Sequence, residues 1–417
     1  MRPEGTIQTA SNRLHKRALL LSRWWPLAWF ALLFVLFVGV ARAQGQTTAT
    51  ATKPYASLDR QAVTYRGPVP RTVKESPDGA AVIGAILPLN GPQQKEGKAL
   101  LTAAQLAIEE EQALGPLADG RWLQLVARDE SGPWGQASTE ILRLFEQDHA
   151  LAILTSANGT SAHLAEQIAN KISIPILTLA SDPSTTQANV PWLFRLGPSD
   201  TDQASIFCRR IYSDLGLKRV LLVAQMDHDG RMGSEEFEKA AKQVKAEPPM
   251  RFELPDSGLN LQSLREILQT TEPDTIVIWT DAPQAEQVLL LARKTRPSTP
   301  VFLCRKAAQL NISDTGKWFT VGGSSKEQMA GQVKFGQLYL AQTGTNAGFA
   351  AEEIYQAVHM LATALRTTGA NRVLLRDYLA NEGNPGSPMK IMAFDPAGNS
   401  VQEFRIVDVG ASAPAKP

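Results

Sequence analysis

The chain has 417 residues, enough to bury at least one large core and to form two or three domains. Its 42 basic and 41 acidic residues leave a formal net charge of +1. No basic tract is interleaved with aromatic residues, which argues against nucleic acid as a partner. The hydrophobic fraction of 43% is ordinary for a globular protein.

The N-terminus has the composition of an export signal. An apolar stretch at Trp24–Val40 is followed by Ala41 and Ala43, at the small-residue positions that a signal peptidase requires. Four basic residues precede it: Arg13, Lys16, Arg17 and Arg23. Residues 1–43 are therefore predicted to be a cleaved signal peptide. The alternative is an uncleaved membrane anchor, because the stretch is near the lower limit of about 17 residues for spanning a bilayer. In both cases the rest of the chain is expected outside the cytoplasmic membrane.

Residues 44–79 are rich in Thr, Ala and Pro and lack apolar periodicity, which predicts a disordered linker. The first buried strand follows at Val82–Leu87, and a turn at Gly91 leads into a helix that extends to Glu111. Gly97 is expected to give the loop between them its conformational freedom. Ligands of open α/β sheets bind at the carboxyl ends of strands. Because this loop has no catalytic residue, it predicts binding rather than chemistry.

Short apolar runs then alternate with amphipathic helices, which predicts parallel sheets with helices on both faces. The predicted strands are Val82–Leu87, Trp122–Arg128, Leu151–Leu154, Ile174–Leu179, Arg219–Ala224, Thr275–Thr280 and Val301–Cys304. The predicted helices include Ser161–Lys171, Ser199–Leu215, Ala282–Thr295, Ser325–Gln342 and Ala350–Thr367. Two short strands, Lys390–Phe394 and Glu403–Val407, are predicted on either side of a turn at Asp395–Asn399. One simple sheet cannot hold so many βα units, so the sequence predicts an α/β protein of two doubly wound lobes.

Residues that could carry chemistry are few. Cys208 and Cys304 could form a disulfide in an oxidising compartment or stay as two buried thiols, and the sequence leaves both alternatives open. The D-H-D run at Asp227–Asp229 is interpreted as a polar loop, since three consecutive residues cannot all face one ion and no zinc-like spacing occurs elsewhere. His163 and His359 are predicted to be packed or solvated on helices. No hydrolase, metalloprotease or phosphate-loop motif occurs, so we expect no enzyme, no cofactor and no metal.

Several short motifs occur in a fixed order between Val82 and Val409, essentially the whole mature domain. They are the P-x-x-G-P…G loop at Pro88–Gly97, the acidic Asp129, the small-residue loop Ser181–Pro183, the F-R-x-G-P-S-D segment Phe194–Asp200, the P-D pair at Pro273, the helix segment Glu353–Val358 and the F-D-x-x-G turn Phe394–Gly398. Together they resemble the type I periplasmic solute-binding proteins, in particular the leucine/isoleucine/valine-binding branch. The resemblance implies two parallel-sheet lobes, joined by a three-crossover hinge, that close on a ligand.

The resemblance also implies how the chain is divided. The first lobe would comprise residues 80–196 and 319–386, and the second lobe residues 197–318 and 387–409. A flexible tail would follow at 410–417. The three crossings are expected near Arg195–Ser199, Trp318–Val321 and Gly386–Pro388.

The first lobe provides two loops for a ligand. Before one helix, hydroxyl and amide side chains and free backbone N–H groups suit an anion such as a carboxylate, although simple N-capping is the alternative. The residues concerned are Asn158, Gly159, Thr160 and Ser161. Gly159 would let a ligand approach the backbone closely. By resemblance, Ala180 and Ser181 of the second loop would hold the α-amino and α-carboxylate groups of an amino acid.

In the second lobe the resemblance fails at the ligand-facing positions. Asp229 and Asp281 stand where the amino-acid binders have tyrosine-containing loops, and Lys306 stands where they have an acidic residue for the ligand's ammonium. A lysine cannot hold an ammonium, so a plain aliphatic amino acid is doubtful as the ligand. The three residues are expected to set specificity; the alternative is a solvated rim of charges.

The sequence thus indicates an exported solute-binding protein of the periplasm that acts as a monomer. It would capture a small ligand, amino-acid-like or carboxylate-bearing, for an importer of the ATP-binding-cassette (ABC) type, with a membrane permease as its partner. Apart from binding this permease, the protein would contact the membrane only if its N-terminal segment stays uncleaved. The alternative is a ligand-sensing or partner-regulating envelope protein with the same fold and no role in transport.

Overall fold

The computed structural model of the protein describes residues 79–133, 135–255, 261–309, 318–323, 326–381 and 393–409. The predicted signal segment, the predicted tail and all but the last residue of the predicted linker lie outside these ranges. Within the described part of the chain, no helix is long and apolar enough to cross a membrane.

The first sheet has five parallel strands in the order β2-β1-β3-β4-β5. Its strands are β1 (Ala80–Leu87), β2 (Trp122–Asp129), β3 (Ala152–Thr155), β4 (Ile176–Thr178) and β5 (Leu193–Arg195). Every residue of β1 after Ala80 is buried, as expected for a central parallel strand covered on both faces. The helices of this part are α1 (Gln94–Ala113), α2 (Gln136–Glu146), α3 (Gly159–Ile172) and α4 (Ser184–Gln187).

The second sheet has six strands and repeats the order of the first. Its strands are β6 (Val220–Gln225), β7 (Met250–Leu254), β8 (Thr275–Trp279), β9 (Val301–Leu303), β10 (Trp318–Gly323) and β11 (Phe404–Val409). They run β11-β10-β9-β8-β6-β7, and β11 pairs antiparallel with β10. The helices here are α5 (Asp200–Cys208) with a π-helical continuation at Arg209–Asp214, α6 (His228–Gln243), α7 (Leu261–Thr270), α8 (Ala282–Thr295) and a 3₁₀ turn at Ala307–Gln309.

Three later helices return to the first sheet: α9 (Lys326–Thr343), α10 (Phe349–Thr368) and α11 (Arg372–Asn381). Phe335 of α9 and Leu361 of α10 share one core with Ile83 of β1. Phe394 belongs to the same core and packs against Phe194, with 5.0 Å between the ring centroids. The second sheet has a separate core with α5 to α8. The chain therefore forms a first lobe and a second lobe, one around each sheet.

The predicted α/β fold of two doubly wound, parallel-sheet lobes is confirmed. All seven strands predicted before residue 305 are present, with bounds that differ by one or two residues. Strands β5, β7 and β10 have no counterpart among the predicted strands. With three residues, β5 is too short to be recognised as an apolar run. In β7, at the edge of the sheet, charged residues alternate with apolar ones, so it does not form an apolar run either.

The second predicted crossing needs correction. Trp318–Val321 lies within β10, which pairs with β9 on one side and with β11 on the other. The chain therefore stays in the second sheet through Gly323, instead of entering the first lobe at residue 319. The composition of residues 318–321 could not distinguish the two cases. An apolar segment that crosses between lobes and an apolar strand at the end of a lobe contain the same types of residue.

The C-terminal segment also differs from the prediction. Phe394 packs in the first core and makes an isolated bridge to Ser400, so the chain passes to the second sheet after Phe394 and not at residue 387. The crossing expected at Gly386–Pro388 and most of the strand expected at Lys390–Phe394 lie outside the described residues. The turn at Asp395–Asn399 is present, with a 2.8 Å hydrogen bond from Asp395 N–H to the Asn399 carbonyl oxygen.

Of the two alternatives for the cysteines, the structure has free thiols. Cys208 and Cys304 are both buried, and each Sγ lies 3.7 Å from a backbone carbonyl oxygen, of Phe237 and Thr280 respectively. Burial raises the pKa of both thiols to about 12. They act as small apolar core residues.

Gly97 lies inside α1 and not in the loop before it. A Cβ at this position would lie 2.0 Å from the carbonyl oxygen of Pro88. The glycine therefore lets the helix approach the end of β1, which differs from the predicted role in loop flexibility. Gly91, with φ of 73°, has the backbone conformation that the turn requires.

This packing predicts opposite effects for two helical glycines. Gly97→Ala should lower the free energy of unfolding by about 3 kcal/mol, because the Pro88 backbone cannot move without displacing β1. Gly336→Ala in α9 is the matched control, since no heavy atom of the described residues lies within 4 Å of its ideal Cβ. It should raise the free energy of unfolding by about 0.5–1 kcal/mol. Urea denaturation measures both values, and equal effects of the two substitutions would contradict the packing argument.

Candidate functional site

The carboxyl ends of the two sheets face each other across a cleft, which is closed by hydrogen bonds between loops of the two lobes. This is where open α/β sheets bind ligands. The cross-cleft pairs include Gly159 N with Asp229 Oδ1 at 3.0 Å, Asp182 Oδ2 with His228 Nε2 at 2.7 Å, and Gln93 Nε2 with Asp281 Oδ2 at 3.4 Å. Each pair joins a strand end of the first lobe to a strand end of the second.

The N-terminus of α3 presents its backbone to the second lobe. Asn158 is the N-cap, and its Oδ1 accepts a 3.0 Å hydrogen bond from Ser161 N–H, as in simple capping. Thr160 lies half-buried in the first turn. A Cβ on Gly159 would lie 2.3 Å from Asp229 Oδ1. Glycine thus permits a close approach, and in this structure the approaching group is a carboxylate of the protein itself.

Asp229 connects two of the predicted site residues. Its Oδ1 accepts from Gly159 N–H, and its Oδ2 accepts from the Lys306 ammonium. Burial alone would lower the pKa of Lys306, but the carboxylates of Asp229 and Asp227 outweigh it and raise the pKa, so the ammonium stays charged. An ammonium and a helix N-terminus are two groups that stabilise an anion. The position between them is therefore an anion site, which Asp229 occupies.

Ala180 and Ser181 lie on the loop after β4, at the back of the cleft. Ala180 N–H donates to Thr178 Oγ1 at 3.0 Å. The Ser181 carbonyl accepts from Arg195 Nη1 at 2.6 Å and from Asp200 N–H at 2.7 Å. Burial raises the pKa of the Asp200 carboxyl to about 7, against the effect of its hydrogen bond with the Ser181 side chain. The loop is thus fixed from behind by its own backbone hydrogen bonds.

Asp281 both caps a helix and crosses the cleft. Its Oδ1 accepts from Gln284 N–H at 3.2 Å, and its Oδ2 accepts from Gln93. It is 7% exposed, while the side chains of Asp229 and Lys306 are 15% and 10% exposed. The alternative of a solvated rim of charges therefore does not describe these three residues. Their contact with a ligand stays a prediction.

Two buried carboxyl groups of the first lobe have no counterpart among the predicted site residues. Burial raises the pKa of Glu96 to about 8 and that of Glu130 to about 7, and in both cases the Lys306 ammonium opposes the shift. Glu130 also accepts hydrogen bonds from the hydroxyls of Ser156 and Ser161. The signal for Glu96 was available in the sequence, since an acidic residue stands one turn before Leu100 on the buried face of α1.

Among the described residues, a small cavity lies between the two lobes. A cavity of about 10 Å³ lies beside the Lys306 side chain, which is room for about one water molecule. It is lined by residues of both lobes, among them Ala157, Leu179, Ser181, Arg305 and Glu353. This cavity is too small for a solute of amino-acid size unless the lobes separate.

Three polar side chains from separate segments meet at one edge of the cleft. His163 Nε2 of α3 lies 2.9 Å, and His228 Nε2 of α6 lies 2.7 Å, from Asp182 Oδ2. Burial alone would raise the pKa of Asp182, but the hydrogen bonds from both imidazoles lower it. The sequence predicted that His163 is packed or solvated on a helix and that His228 lies in a polar loop, whereas His228 is the first residue of α6. It missed the cluster because the three residues are brought together by the fold and have no common motif.

The comparison with protein families now identifies the fold. The sequence model of the family described as periplasmic binding protein matches residues 81–375, more than half of the chain. The chain belongs to this family. The match covers both sheets up to β10 and the later helices, and it confirms the family that the sequence motifs indicated.

Solved structures share the fold of this periplasmic binding protein. The leucine-binding protein LivK of Thermotoga maritima aligns with a TM-score of 0.68 at 18% identity, over 80% of this chain and 97% of that chain. LivJ of Streptococcus pneumoniae, in complex with isoleucine, aligns with 0.67 at 18% identity, over 79% and 99%. A solute-binding protein of Rhodopseudomonas palustris, in complex with benzoate, aligns with 0.69 at 18% identity, over 80% and 96%. At these identities the similarity shows the fold.

Among characterised sequences, an amino acid binding protein of Pseudomonas aeruginosa is 26% identical over 151 residues. The match covers 36% of this chain and 40% of that protein. It therefore spans less than half of the relative's length, and the relative's binding activity is a basis for a proposal only.

The buried Glu96 predicts a pH dependence of stability. A carboxyl whose pKa is raised in the folded state binds more protons folded than unfolded, so its contribution to stability falls as the pH rises from about 4.5 to about 8. Glu96→Gln removes this titration. The free energy of unfolding of the variant should exceed that of the parent protein by about 1–3 kcal/mol at pH 9, and by much less at pH 5. Urea denaturation across this range measures the difference, and a difference independent of pH would refute the assignment.

Proposed function

We propose that the protein captures a small solute bearing a carboxylate between its two lobes and delivers it to an importer of the ABC type. The observation that carries this proposal is the position of the Asp229 carboxylate, between Gly159 N–H at the start of α3 and the Lys306 ammonium. Both groups favour an anion. A solute carboxylate can take the same position once the lobes open and Asp229 moves away.

The ligands of two structural relatives support this chemistry. The Streptococcus pneumoniae protein is in complex with isoleucine, and the Rhodopseudomonas palustris protein with benzoate. Both ligands have a carboxylate, whereas an ammonium is present in isoleucine alone. The carboxylate is therefore the group that these two ligands have in common.

The remaining cleft residues receive roles from their places around this anion site. Thr160, in the first turn of α3, and Ser181, on the neighbouring loop, would contact the solute from the first lobe. Asp281 would limit its size from the second lobe. Asp229, once displaced, would be free to accept a hydrogen bond from a solute ammonium. The residues that shape the loops through backbone hydrogen bonds are Asn158, Ser161 and Ala180.

Capture requires an equilibrium between open and closed lobes. Since the cavity beside Lys306 has room for about one water molecule, a solute that occupies this position would bind an opened form and be enclosed afterwards. Solute stabilises closure only as far as it binds the closed form more tightly. A permease that recognises the closed form could then distinguish loaded from empty protein.

Location, partner and lobe boundaries complete the proposal. Membership of a family of periplasmic binding proteins agrees with the prediction that the segment 1–43 directs export. We infer a monomer that acts in the periplasm, transfers its solute to a membrane permease and has no catalytic activity. The first lobe comprises the described residues from 80 to 195 together with α9 to α11, and the second lobe the residues from α5 to β10 together with β11.

The closed cleft also favours the second candidate, a sensor or regulator without a transport role. Without any solute, Asp229 of the second lobe accepts from Lys306 of the same lobe and from Gly159 N–H of the first lobe. A protein whose closed form is stable by itself can present one surface to an envelope partner at all times. A solute would then release the partner by opening the lobes.

The carboxylate proposal is tested by pairs of compounds that differ in one group. Isoleucine and benzoate, each compared with its primary amide, are titrated against the protein in thermal-shift and calorimetric measurements. At least one carboxylate should raise the melting temperature in proportion to the logarithm of its concentration, and its amide should not. If an amide stabilises the protein as much as its acid, the anion site is not where the solute binds. If no acid of a wider panel binds and an envelope protein copurifies, the proposal of a solute-binding transport component is replaced by that of a regulator.

Asp229→Asn provides a second prediction for the same site. The substitution removes the internal anion but keeps the side-chain size, so a benzoate-type acid should bind about 10-fold more tightly, equivalent to about 1.4 kcal/mol. Asp214→Asn, at an exposed aspartate of the second lobe, is the matched control and should leave binding unchanged. Unchanged or weaker binding of the acid by Asp229→Asn would show that Asp229 does not compete with it.

A further inference from the structure

The cluster at the edge of the cleft has the donor set of a metal site. His163, Asp182 and His228 each offer one ligand atom, and these atoms lie within 4.8 Å of one another. Two imidazole nitrogens and one carboxylate oxygen are a common donor set for zinc, and three protein ligands leave a fourth position open. Imidazole-rich sets prefer first-row transition ions over Mg²⁺ and Ca²⁺.

The orientation of the side chains agrees with this use. The two carboxylate oxygens of Asp182 have different partners. Oδ1 accepts hydrogen bonds from Ser184 N–H at 2.8 Å and from the Ser184 hydroxyl at 2.7 Å, while Oδ2 points to both imidazoles. The two hydrogen bonds hold the carboxylate in place and leave Oδ2 as the metal-facing atom. The Asp182 side chain is fully buried, so its position is fixed by the packing around it.

The first histidine has the outer contact that zinc-binding histidines usually have. His163 Nδ1 lies 3.3 Å from Glu166 Oε2, one turn further along α3. A carboxylate on one ring nitrogen fixes the ring and makes the other nitrogen a better ligand. The Nε2 atom of His163, which faces Asp182, is the nitrogen available to the metal.

The two distances to the Asp182 carboxylate require only a small adjustment. Tetrahedral zinc at 2.0–2.1 Å from each donor keeps donor atoms roughly 3.3 Å apart. The N···O separations are 2.9 and 2.7 Å, so each imidazole must move outward by about half an ångström. The side chains of His163 and His228 are 30% and 31% exposed, which leaves room for this movement and gives an ion a route from solvent.

We propose that His163, Asp182 and His228 form a divalent transition-metal site, of the kind that binds Zn²⁺, that bridges the two lobes and stabilises the closed form. His163 and Asp182 belong to the first lobe and His228 to the second, so the full ligand set exists only when the cleft is closed. An ion bound there favours closure by its differential affinity for the closed form. The inference does not depend on which solute the anion site takes.

The test uses untagged protein purified from the cell envelope and treated with a chelator, which is then removed. Zn²⁺ alone is titrated by calorimetry and thermal shift, with Mg²⁺ as the comparison ion. One Zn²⁺ should bind per chain and raise the melting temperature by several degrees, whereas Mg²⁺ at the same concentration should have no effect. Co²⁺ should give the visible absorption of a tetrahedral site. This spectrum reports coordination directly, which a change in stability alone does not.

Substitutions at the two histidines separate coordination from folding. His163→Asn and His228→Asn should each weaken Zn²⁺ binding at least about 100-fold. Removing only a hydrogen-bond partner that orients a metal ligand already lowers metal affinity by up to about 100-fold, and these substitutions remove a ligand itself. His149→Asn is the matched control: His149 is a half-buried histidine outside the cluster with φ of 53°, a backbone region that asparagine tolerates. It should bind Zn²⁺ as the parent protein does. Melting temperatures measured with chelator present show whether each variant folds.

Small-angle X-ray scattering tests the bridge. Zn²⁺ should reduce the radius of gyration of the parent protein and of His149→Asn, but not that of His228→Asn. Three results would overturn the proposal: no Zn²⁺ binding by the parent protein, equal binding by His228→Asn, or binding without compaction. The first would leave the cluster as an ordinary hydrogen-bonded pair of imidazoles on a carboxylate, and the other two would exclude a bridge between lobes.

Discussion

The closed form of this protein depends on one carboxylate, that of Asp229, which lies between the backbone of one lobe and the ammonium of Lys306. The contact exists because Gly159 has no side chain; a Cβ there would overlap Asp229 Oδ1. It also keeps a largely buried ammonium paired, and breaking such a pair without replacement leaves a charge that burial makes costly. Asp229 and Lys306 both belong to the second lobe, so opening the cleft breaks the contact of Asp229 with Gly159 N–H and leaves that N–H without its anion. A solute carboxylate supplies that anion, which is why the contact that closes the empty cleft also defines what can enter it.

The anion site is held in place by residues that a solute would never touch. Arg195, 1% exposed at the end of β5, donates to the carbonyl oxygens of both Ser181 and Asp182, at 2.6 and 2.9 Å. Burial lowers the pKa of its guanidinium, and nearby carboxylates, first that of Asp200, oppose the shift. One buried arginine thus positions the loop after β4, in which Ser181 faces the solute and Asp182 is the proposed metal ligand. This links the two sites mechanically, because a shift of the β5 end would move both.

The sequence was sufficient for the fold because the fold is specified by local patterns. Apolar runs such as Val82–Leu87 can only be buried strands, and their alternation with amphipathic helices leaves few topologies. The site was predicted less completely, since its contacts join residues far apart in the chain. Gly159, Asp229 and Lys306 were each selected, but as separate contacts of a ligand, and their pairing with one another required the lobes to be placed face to face. The contacts of the His163 imidazole were missed for the same reason, whereas the buried position of Glu96 could have been read from the spacing of α1.

The internal ion pair sets a condition on affinity. A solute must displace a carboxylate that is tethered to the site, and its apparent dissociation constant is the intrinsic one divided by the fraction of time that Asp229 leaves the site free. A carboxylate alone offers the Gly159 backbone and Lys306 no more than Asp229 does. Net capture therefore needs a second source of free energy for closure with solute inside. A metal bridge at Asp182 would supply it without contacting the solute, because it strengthens closure whichever anion lies between the lobes. On this argument the two sites are complementary: the anion site selects the chemistry of the solute, and the cluster beside it determines how firmly the cleft closes.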